Sequence, residues 1–457
     1  MRRLRPMLRA ALGCLLILAI MALPSGARAQ SISLIRDAET ERMIRAYSNP
    51  ILAAAGLQPS SVRIYLINDP AINAFVTVGR RMFIHTGLIL AADTPNQIVG
   101  VIAHETGHIA GAHVARFDDA AAAATTPALV TMALGILAVA AGAPDAGLAL
   151  LLGGQHVAQR RFLSFSRIQE ASADQAAVTY LDSLGISSQG LIEFFGKFRD
   201  QELLVPGRRD PFVRTHPLSS DRIGALRSRV AESPHTQKSD TPEDIRQLNL
   251  VKAKIRGFLD RPEVTFRRYP DSDTSQEARY ARTVAHFQRG SVDLALAEVD
   301  PLIATDPQNP YFRELKGQAL FESGRPADAV VSYREAVQLL PTEGLFKLLL
   351  GQALLATDEV GTDKAVAEQA LVHLKAAARQ DGENSFVWHQ LAIAYSRLEN
   401  ETMANLATAE RFYIAGNAGR AARFAARARS RLPPGSPEWN RANDILQASQ
   451  EAARRRR

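Results

Sequence analysis

The sequence contains a short segment whose residue types and spacing could hold a metal ion, His104-Glu105-Thr106-Gly107-His108. His104 and His108 are four residues apart, so on an α-helix they differ by only about 40° around the axis and both imidazoles can reach one ion. Neutral imidazole is a good zinc ligand. Glu105 projects near the same face, where a carboxylate could take a proton from water and later deliver it to a leaving amine. The segment therefore predicts a zinc hydrolase site.

A catalytic zinc needs a third protein ligand and one open position, and three residues are candidates for that ligand. His113 is a poor one, because on a continuing helix it would point about 140° away from His108. Glu170 shares a predicted helical face with Asp174, which could accept the outer N–H of a ligating histidine. His216 precedes a proline in a predicted loop. From the residues alone, Glu170 and His216 both remain open as ligands.

The elements that must position these side chains follow from the spacing of apolar residues. Residues 96–114 carry apolar side chains at helical intervals and predict the helix that holds the histidines. Residues 62–68 and 74–85 are rich in β-branched and aromatic side chains and predict strands around a turn at Gly79. Gly107 costs a helix about 1 kcal/mol relative to alanine, which indicates close approach of another backbone segment. We predict one α+β domain over residues 30–235.

The first 29 residues are typical of a signal peptide. A cationic start is followed by an apolar run over residues 10–23, and Ala27-Arg28-Ala29 has the pattern of a cleavage site before Gln30. We expect cleavage, with a retained membrane anchor as the alternative. Cys14 is the only cysteine in the chain, so the mature protein would form no disulfide. A signal peptide without downstream cysteines fits a periplasmic protein.

The chain of 457 residues carries a formal net charge of +7, but five of its positive charges lie in the signal peptide. The remainder is close to neutral and shows no basic stripe with interleaved aromatics, so nucleic acid is not an expected partner. An apolar stretch over residues 128–154 is broken near Pro144 into arms too short to cross a bilayer, which needs about 20 residues. We expect a buried helical hairpin there, with peripheral membrane contact or a cover over the active site as the alternative.

An internal repeat occupies the second half of the chain. Four pairs of residues are each 34 positions apart: Gly290 and Gly324, Ala295 and Ala329, Pro307 and Pro341, and Gly317 and Gly351. This period is the tetratricopeptide pattern, which a generic helical bundle would lack. Helical hairpins that cannot bury an apolar face alone stack into a solenoid. We predict such repeats over 273–447, with an insertion around 358–363, a linker and connecting helix over 236–272, and a basic tail over 448–457.

Three motifs together resemble the CAAX prenyl protease-like zinc metallopeptidase family. They are His-Glu-Thr-Gly-His at 104–108, Glu-Ala-Ser-Ala-Asp at 170–174 and Thr-His-Pro-Leu-Ser-Ser-Asp-Arg-Ile at 215–223. The signal peptide and the repeats narrow the resemblance to periplasmic members that carry a repeat domain. The resemblance implies a mainly α fold, in which an α+β HExxH zinc metalloprotease domain with a small β-sheet precedes an α-helical tetratricopeptide-repeat solenoid.

The resemblance also implies roles for the motif residues. His104, His108 and Glu170 would bind one zinc ion per chain, and Glu105 would be the general base. Asp174 would be a catalytic-site residue that supports the metal ligands from outside.

Further residues acquire expected roles in the same way. His216 would be able to occupy the open zinc position and hold the enzyme latent, and Arg222 would lie near the site. Asn73-Ala74-Phe75 would be an edge strand against which substrate pairs by β-augmentation.

The function implied by the resemblance is that of a periplasmic zinc endopeptidase that degrades misfolded or stalled outer-membrane proteins. The expected partners are protein substrates and, through the repeats, the outer-membrane assembly machinery or its clients. The alternative is a chaperone or assembly factor with little proteolysis, because the concave surface of a solenoid is itself a binding surface.

Overall fold

A computed structural model of the protein describes residues 33–116, 166–198 and 210–455. The expected signal peptide and the apolar stretch over residues 128–154 lie outside the described residues. Within the described ranges, no helix is both long enough and apolar enough to span a membrane. These ranges are mainly helical and contain one small sheet, which confirms the predicted fold class.

A four-stranded sheet belongs to the first domain. Its strands are β1 (Leu34–Ile35), β2 (Arg63–Ile67), β3 (Ala74–Thr77) and β4 (Arg81–His85). Their spatial order is β1-β2-β4-β3, with β2 parallel to β4 and the two outer strands antiparallel to their neighbours. The predicted turn at Gly79 is formed by two residues with left-handed backbone, Gly79 (φ 81°) and Arg80 (φ 55°). This topology makes β3 an edge strand.

The helices of the first domain surround one apolar core. They are α1 (Ala38–Ala54), α2 (Thr86–Ala91), α3 (Pro95–Ala110), α4 (residues 166–183), α5 (Gln189–Gly196), α6 (Pro211–Thr215) and α7 (Ser220–Ala231). The central helix is α3, whose Ile98, Val101 and Ile102 are buried in that core. It begins with Pro95, in a first turn where a proline sacrifices no helical hydrogen bond. It ends four residues before the predicted boundary at 114.

Five helical hairpins make up the second domain. They pair α10 (Gln276–Gln288) with α11 (Val292–Thr305), α12 (Pro310–Glu322) with α13 (Pro326–Leu339), α14 (Gly344–Thr357) with α15 (Lys364–Gln380), α16 (Ser385–Arg397) with α17 (Glu401–Ile414), and α18 (Ala418–Arg429) with α19 (Pro437–Arg455). Successive first helices begin at 276, 310, 344, 385 and 418, and the one long interval contains the insertion near 358–363. The repeated glycines allow tight pairing, since a Cβ on Gly317 would lie 2.6 Å from the Tyr333 ring and one on Gly351 2.6 Å from Leu374.

Residues 236–272 join the two domains more firmly than a linker would. They contain α8 (Pro242–Leu259) and α9 (Pro262–Arg268). Leu248, Val251 and Ile255 of α8 enter the core of the first domain. Leu250 of the same helix belongs to a separate apolar cluster with residues of the first repeat. Since α8 is buried against both sides, the domains share packing across it.

A buried charged cluster lies where α1, α8 and α12 meet. The ammonium group of Lys254 contacts Asp37 and lies 3.7 Å from Glu39 and 3.3 Å from Glu314. Tyr280 donates a hydrogen bond of 2.7 Å to Glu39. Three carboxyl groups share one buried ammonium group, and burial raises the pKa of Glu39 to about 7. The cluster is therefore most favourable when one of its acids carries a proton.

We predict that Glu39→Gln removes a pH dependence of stability. The pKa of Glu39 rises from 4.5 to about 7 on folding. The contribution of this group to the free energy of unfolding is therefore fully present below about pH 4.5 and is lost as the pH rises through 7. Between pH 5 and pH 8, the wild type should lose on the order of 2 kcal/mol of unfolding free energy relative to the variant.

Denaturant unfolding at the two pH values measures this difference. Glu263→Gln, at an exposed position of α9, is the matched control and should behave as the wild type does. The same pH dependence in the Glu39→Gln chain as in the wild type would contradict the prediction.

Candidate metal centre

The helix that carries the histidines crosses the helix that carries the acids at Gly107. A Cβ at this position would lie 2.9 Å from both the Cα atom and the carbonyl oxygen of Ala173 in α4. A side chain of any size would therefore force the two backbones apart. This approach places Glu170 and Asp174, which flank Ala173 on α4, beside the histidines of α3. The close backbone contact predicted from Gly107 is what brings two of the three sequence motifs together.

Four donor atoms converge where α3 and α4 meet the segment between α6 and α7. They belong to His104, His108, Glu170 and His216, which are all buried, and they lie within 4.8 Å of one another. Nε2 of His104 lies 3.1 Å from Nε2 of His108 and 3.2 Å from Nδ1 of His216. Both helix histidines lie 3.4 Å from a carboxylate oxygen of Glu170.

These spacings fit the ion that the donor types suggest. Zinc takes nitrogen and carboxylate ligands at about 2.0–2.1 Å in a tetrahedron, whose edges are then about 3.4 Å long. The donors are 3.1 to 3.4 Å apart along the edges given above. The donor types therefore fit zinc, and these four contacts, two of them to different oxygens of Glu170, are close to tetrahedral edges, within a donor set that extends to 4.8 Å.

The outer ring nitrogen of His104 contacts Asp174, and Asp174 is in turn bound by Arg222. Both residues were predicted at the site. Nδ1 of His104 lies 2.9 Å from Asp174, and Arg222 donates hydrogen bonds of 2.5 and 2.8 Å to the same carboxylate. Arg222 also lies 2.9 Å from Glu170. Because the carboxylate of Asp174 accepts the proton on Nδ1, Nε2 of His104 is left free for a metal.

The outer ring nitrogen of His108 faces His113, which a continuing helix would point away from it. Nδ1 of His113 lies 3.0 Å from Nδ1 of His108. The assumption of a continuing helix was wrong, because Ala112 adopts a left-handed backbone (φ 51°) that turns the chain back. Gly111 leaves room for the ring, since a Cβ there would lie 2.3 Å from Nε2 of His113. His113 is not among the four donors, but it contacts one of them, and Gly111 was the signal that the helix could end.

Electrostatic contacts within the site keep its acids ionised. Burial opposes charge on Asp174, but the hydrogen bonds from Arg222 outweigh it and lower the pKa of this carboxyl. Burial also opposes charge on Glu170, yet the adjacent His216 ring and the other contacts hold its pKa well below 4.5. The site is thus a network of charges that stabilise one another.

Glu105 accepts no hydrogen bond from the residues of this network. Both of its carboxylate oxygens are buried and have no hydrogen-bond partner among the described residues. Nε2 of His216 lies 3.3 Å from one of them, in a geometry that is not a hydrogen bond. Burial raises the pKa of Glu105. A carboxylate of raised proton affinity that accepts no hydrogen bond from the described residues, beside a candidate metal position, has the properties of a general base.

The predicted substrate strand borders the site. β3 pairs with β4 on one side, where the carbonyl of Asn73 accepts a hydrogen bond from the backbone of His85. Polar backbone groups alternate along an antiparallel strand, so Asn73 and Phe75 face β4 and Ala74 faces the open edge. The carbonyl oxygen of Ala74 lies 3.2 Å from Nε2 of His216. His216 therefore contacts the donor group with one ring nitrogen and the open edge of β3 with the other.

A buried His-Glu-x-x-His helix with a carboxylate from a second helix beside it is typical of a metallopeptidase domain, and here a helical solenoid follows that domain. Residues 36–230 match the model of Peptidase family M48, and residues 280–344 match that of a tetratricopeptide repeat. The chain is thus an enzyme with an M48 metallopeptidase domain, which implies a divalent metal, and with tetratricopeptide repeats. The resemblance seen in the sequence is confirmed.

Several named proteins are similar to most or to part of this chain. The beta-barrel assembly-enhancing protease of Escherichia coli (strain K12) is 26% identical over 414 residues, which cover 89% of this chain and 82% of the relative. The protein of the same name from Yersinia pestis is 26% identical over 416 residues, covering 90% and 83%. Metalloprotease LoiP of Escherichia coli (strain K12) is 30% identical over 174 residues, covering 38% and 64%. The first two similarities extend over both domains.

We predict that His113→Ala weakens zinc binding about 10–100-fold, because loss of an outer partner of a ligating histidine has effects of that size. His113→Asn, which keeps an acceptor near Nδ1 of His108, should recover part of the loss. Competition with a chelator measures the zinc dissociation constant without reference to catalysis. His373→Ala, a histidine change in α15 of the solenoid, is the control. An unchanged dissociation constant in His113→Ala would show that the contact with His108 has no role in metal binding.

Proposed function

We propose that the protein is a zinc-dependent endopeptidase of the periplasm that hydrolyses misfolded or stalled outer-membrane proteins. The observation that carries the proposal is the convergence of His104, His108 and Glu170 beside the unpaired carboxylate of Glu105. The names of the relatives, which combine protease with β-barrel assembly, support the class of substrate. The signal peptide expected from the sequence supports the compartment. The solenoid supplies a surface on which the assembly machinery or its clients would dock.

The residues of the site have separable tasks in peptide hydrolysis. A zinc ion held by His104, His108 and Glu170 would act as a Lewis acid on the peptide carbonyl and lower the pKa of water. Glu105 takes the proton from the attacking water and delivers it to the leaving amine. Asp174 holds the ring of His104 in place.

Substrate and ligands are positioned by residues around these groups. A substrate segment that adds to the open edge of β3 as a further strand would run past the donor group. Arg222 contacts both Asp174 and Glu170. It therefore fixes the carboxylate that would bind zinc and the carboxylate that supports His104 in one arrangement.

Latency is the second part of the proposal. Nδ1 of His216 lies among the donor atoms, where it would fill the position that a catalytic zinc keeps open. Nε2 of the same ring contacts the carbonyl of Ala74, with which an added substrate strand would pair. One side chain thus blocks both the reacting position and the substrate edge. The site opens when His216 moves away from both.

We predict that Glu105→Gln abolishes cleavage of an unfolded protein such as casein, with a loss of about 10²–10⁴-fold. Because Glu105 is not among the donors, the variant should still bind one zinc ion per chain. His104→Ala is the contrasting variant, since it should lose both zinc and activity. Retained cleavage in Glu105→Gln would overturn its assignment as general base.

The same variant separates the protease from the alternative function. If Glu105→Gln fully restores growth of a deletion strain, hydrolysis is dispensable and the protein acts as a chaperone or assembly factor through its repeats. We expect it to fail where the wild type succeeds.

We predict that His216→Ala raises basal proteolysis or self-cleavage about tenfold, because the closed fraction of molecules no longer limits the rate. His235→Ala, outside the donor group, should leave the rate unchanged. Zinc content and the unfolding transition establish that the variant is folded and loaded. A lower rate in such a variant would instead assign His216 a part in catalysis.

A further inference from the structure

Positive charge is concentrated at one end of the solenoid. Residues 411–457 contain eleven arginines and three acidic residues, a net charge of +8. The first 29 residues contribute +5 to the total of +7, so subtracting both segments leaves −6 for residues 30–410. The near-neutral balance of the mature sequence therefore conceals a strong separation of charge between the last repeat and the rest of the molecule.

The last repeat presents arginines along one exposed helix face. Arg420, Arg423 and Arg427 of α18 lie within about 60° of one another around the helix axis. All three are exposed, whereas Ala421 and Ala425 on the opposite face are buried. None of the three arginines forms a salt bridge with any carboxylate in the described part of the chain. A cap whose only task is solubility would normally mix charges of both signs.

Aromatic rings support two of these guanidinium groups. Arg420 lies over the ring of Phe412 at 5.2 Å, and Arg427 lies over the ring of Phe424 at 5.4 Å. The two rings are stacked on each other at 5.7 Å. A guanidinium held over an aromatic ring keeps its positive charge, and guanidinium N–H groups bind phosphate in a bidentate manner. The arginines are thus held in place without being neutralised.

A second source of positive charge lies at the same end of the molecule. Helices α18 and α19 form an antiparallel hairpin. Ala453, near the end of α19, therefore lies close to the start of α18, where it lines one surface depression with Gly416, Asn417 and Gly419. Arg454 follows directly, and the sequence continues with arginines to position 457. The arginine run thus begins beside the first arginine of the α18 face.

We propose that this face, defined by Arg420, Arg423 and Arg427, binds the anionic phospholipid headgroups of a membrane surface. With Arg454, which follows Ala453 beside the start of α18, the face has four basic residues, and clusters of four to eight are typical of such binding. The separation of charge favours an extended anionic plane, because the −6 body is repelled from the plane that attracts the +8 end. The exposed face carries no large apolar side chain, so the contact is electrostatic and does not insert. Phe412 and Phe424 are covered by arginines, which disfavours stacking with nucleic acid bases.

The test is co-sedimentation of the purified protein with vesicles of phosphatidylcholine containing about 30 mol% phosphatidylglycerol. Binding should be strong at low salt. It should fall steeply as NaCl is raised towards about 0.5 M, because the Debye length then shrinks to a few ångströms. It should be absent on pure phosphatidylcholine. The triple variant Arg420→Gln, Arg423→Gln, Arg427→Gln should bind about 100-fold more weakly, since each basic residue near an anionic surface contributes a factor of about five.

A matched variant distinguishes the face from net charge alone. Arg261→Gln, Arg267→Gln, Arg334→Gln removes three exposed arginines that form no salt bridge with any described carboxylate, and it should bind as the wild type does. Casein cleavage should be equal in both triple variants, which shows that they are folded. Equal vesicle binding by the two variants would overturn the proposal. Tighter binding of the wild type to a duplex DNA than to the vesicles would also overturn it and assign the face to nucleic acid.

Discussion

The contact between α3 and α4 at Gly107 is the constraint on which the site depends. Two helix backbones can approach to the distance seen at Ala173 only where one of them lacks a side chain. The donor atoms of His104 and Glu170 belong to different helices, and their 3.4 Å separation follows from that approach. Gly107 thus allows the close helix contact that brings the carboxylate of Glu170 to the two histidines. Without the second helix, the motif would offer two ligands and no more.

Buried charge is the second constraint, and the protein meets it in the same way at two places. In the metal centre, Arg222 compensates Asp174 and Glu170. At the domain junction, Lys254 compensates the acids of α1 and α12. Buried charges destabilise a fold unless partners are present with good geometry. Each cluster therefore ties together segments that are distant in sequence, and the junction cluster makes docking of the solenoid part of the folding of the whole chain.

The sequence was informative wherever a feature repeats at a fixed local interval. The histidine spacing, the strands around Gly79 and the 34-residue period each depend on neighbours along the chain, and the structure contains the corresponding elements. The role of His113 was missed because a single left-handed residue, Ala112, ends the helix. The cluster around Lys254 was missed because its lysine comes from α8 and its acids come from the start of α1 and from α12, and no local pattern marks such contacts. The basic tail over 448–457 was predicted, whereas the arginines of α18 were missed because opposite charges elsewhere cancel them in the total.

In the proposed latent state, the position of His216 couples occupation of the open metal position to the substrate edge. Its two ring nitrogens lie on different sides of one rigid imidazole, and one contacts the donor group while the other contacts the edge of β3. Rotation of the ring about its Cβ–Cγ bond displaces both nitrogens, because neither atom lies on that axis. A substrate strand that captures the carbonyl of Ala74 competes directly with the histidine. Binding at the edge and opening of the reacting position are therefore expected to be one event, in which the substrate itself contributes the free energy.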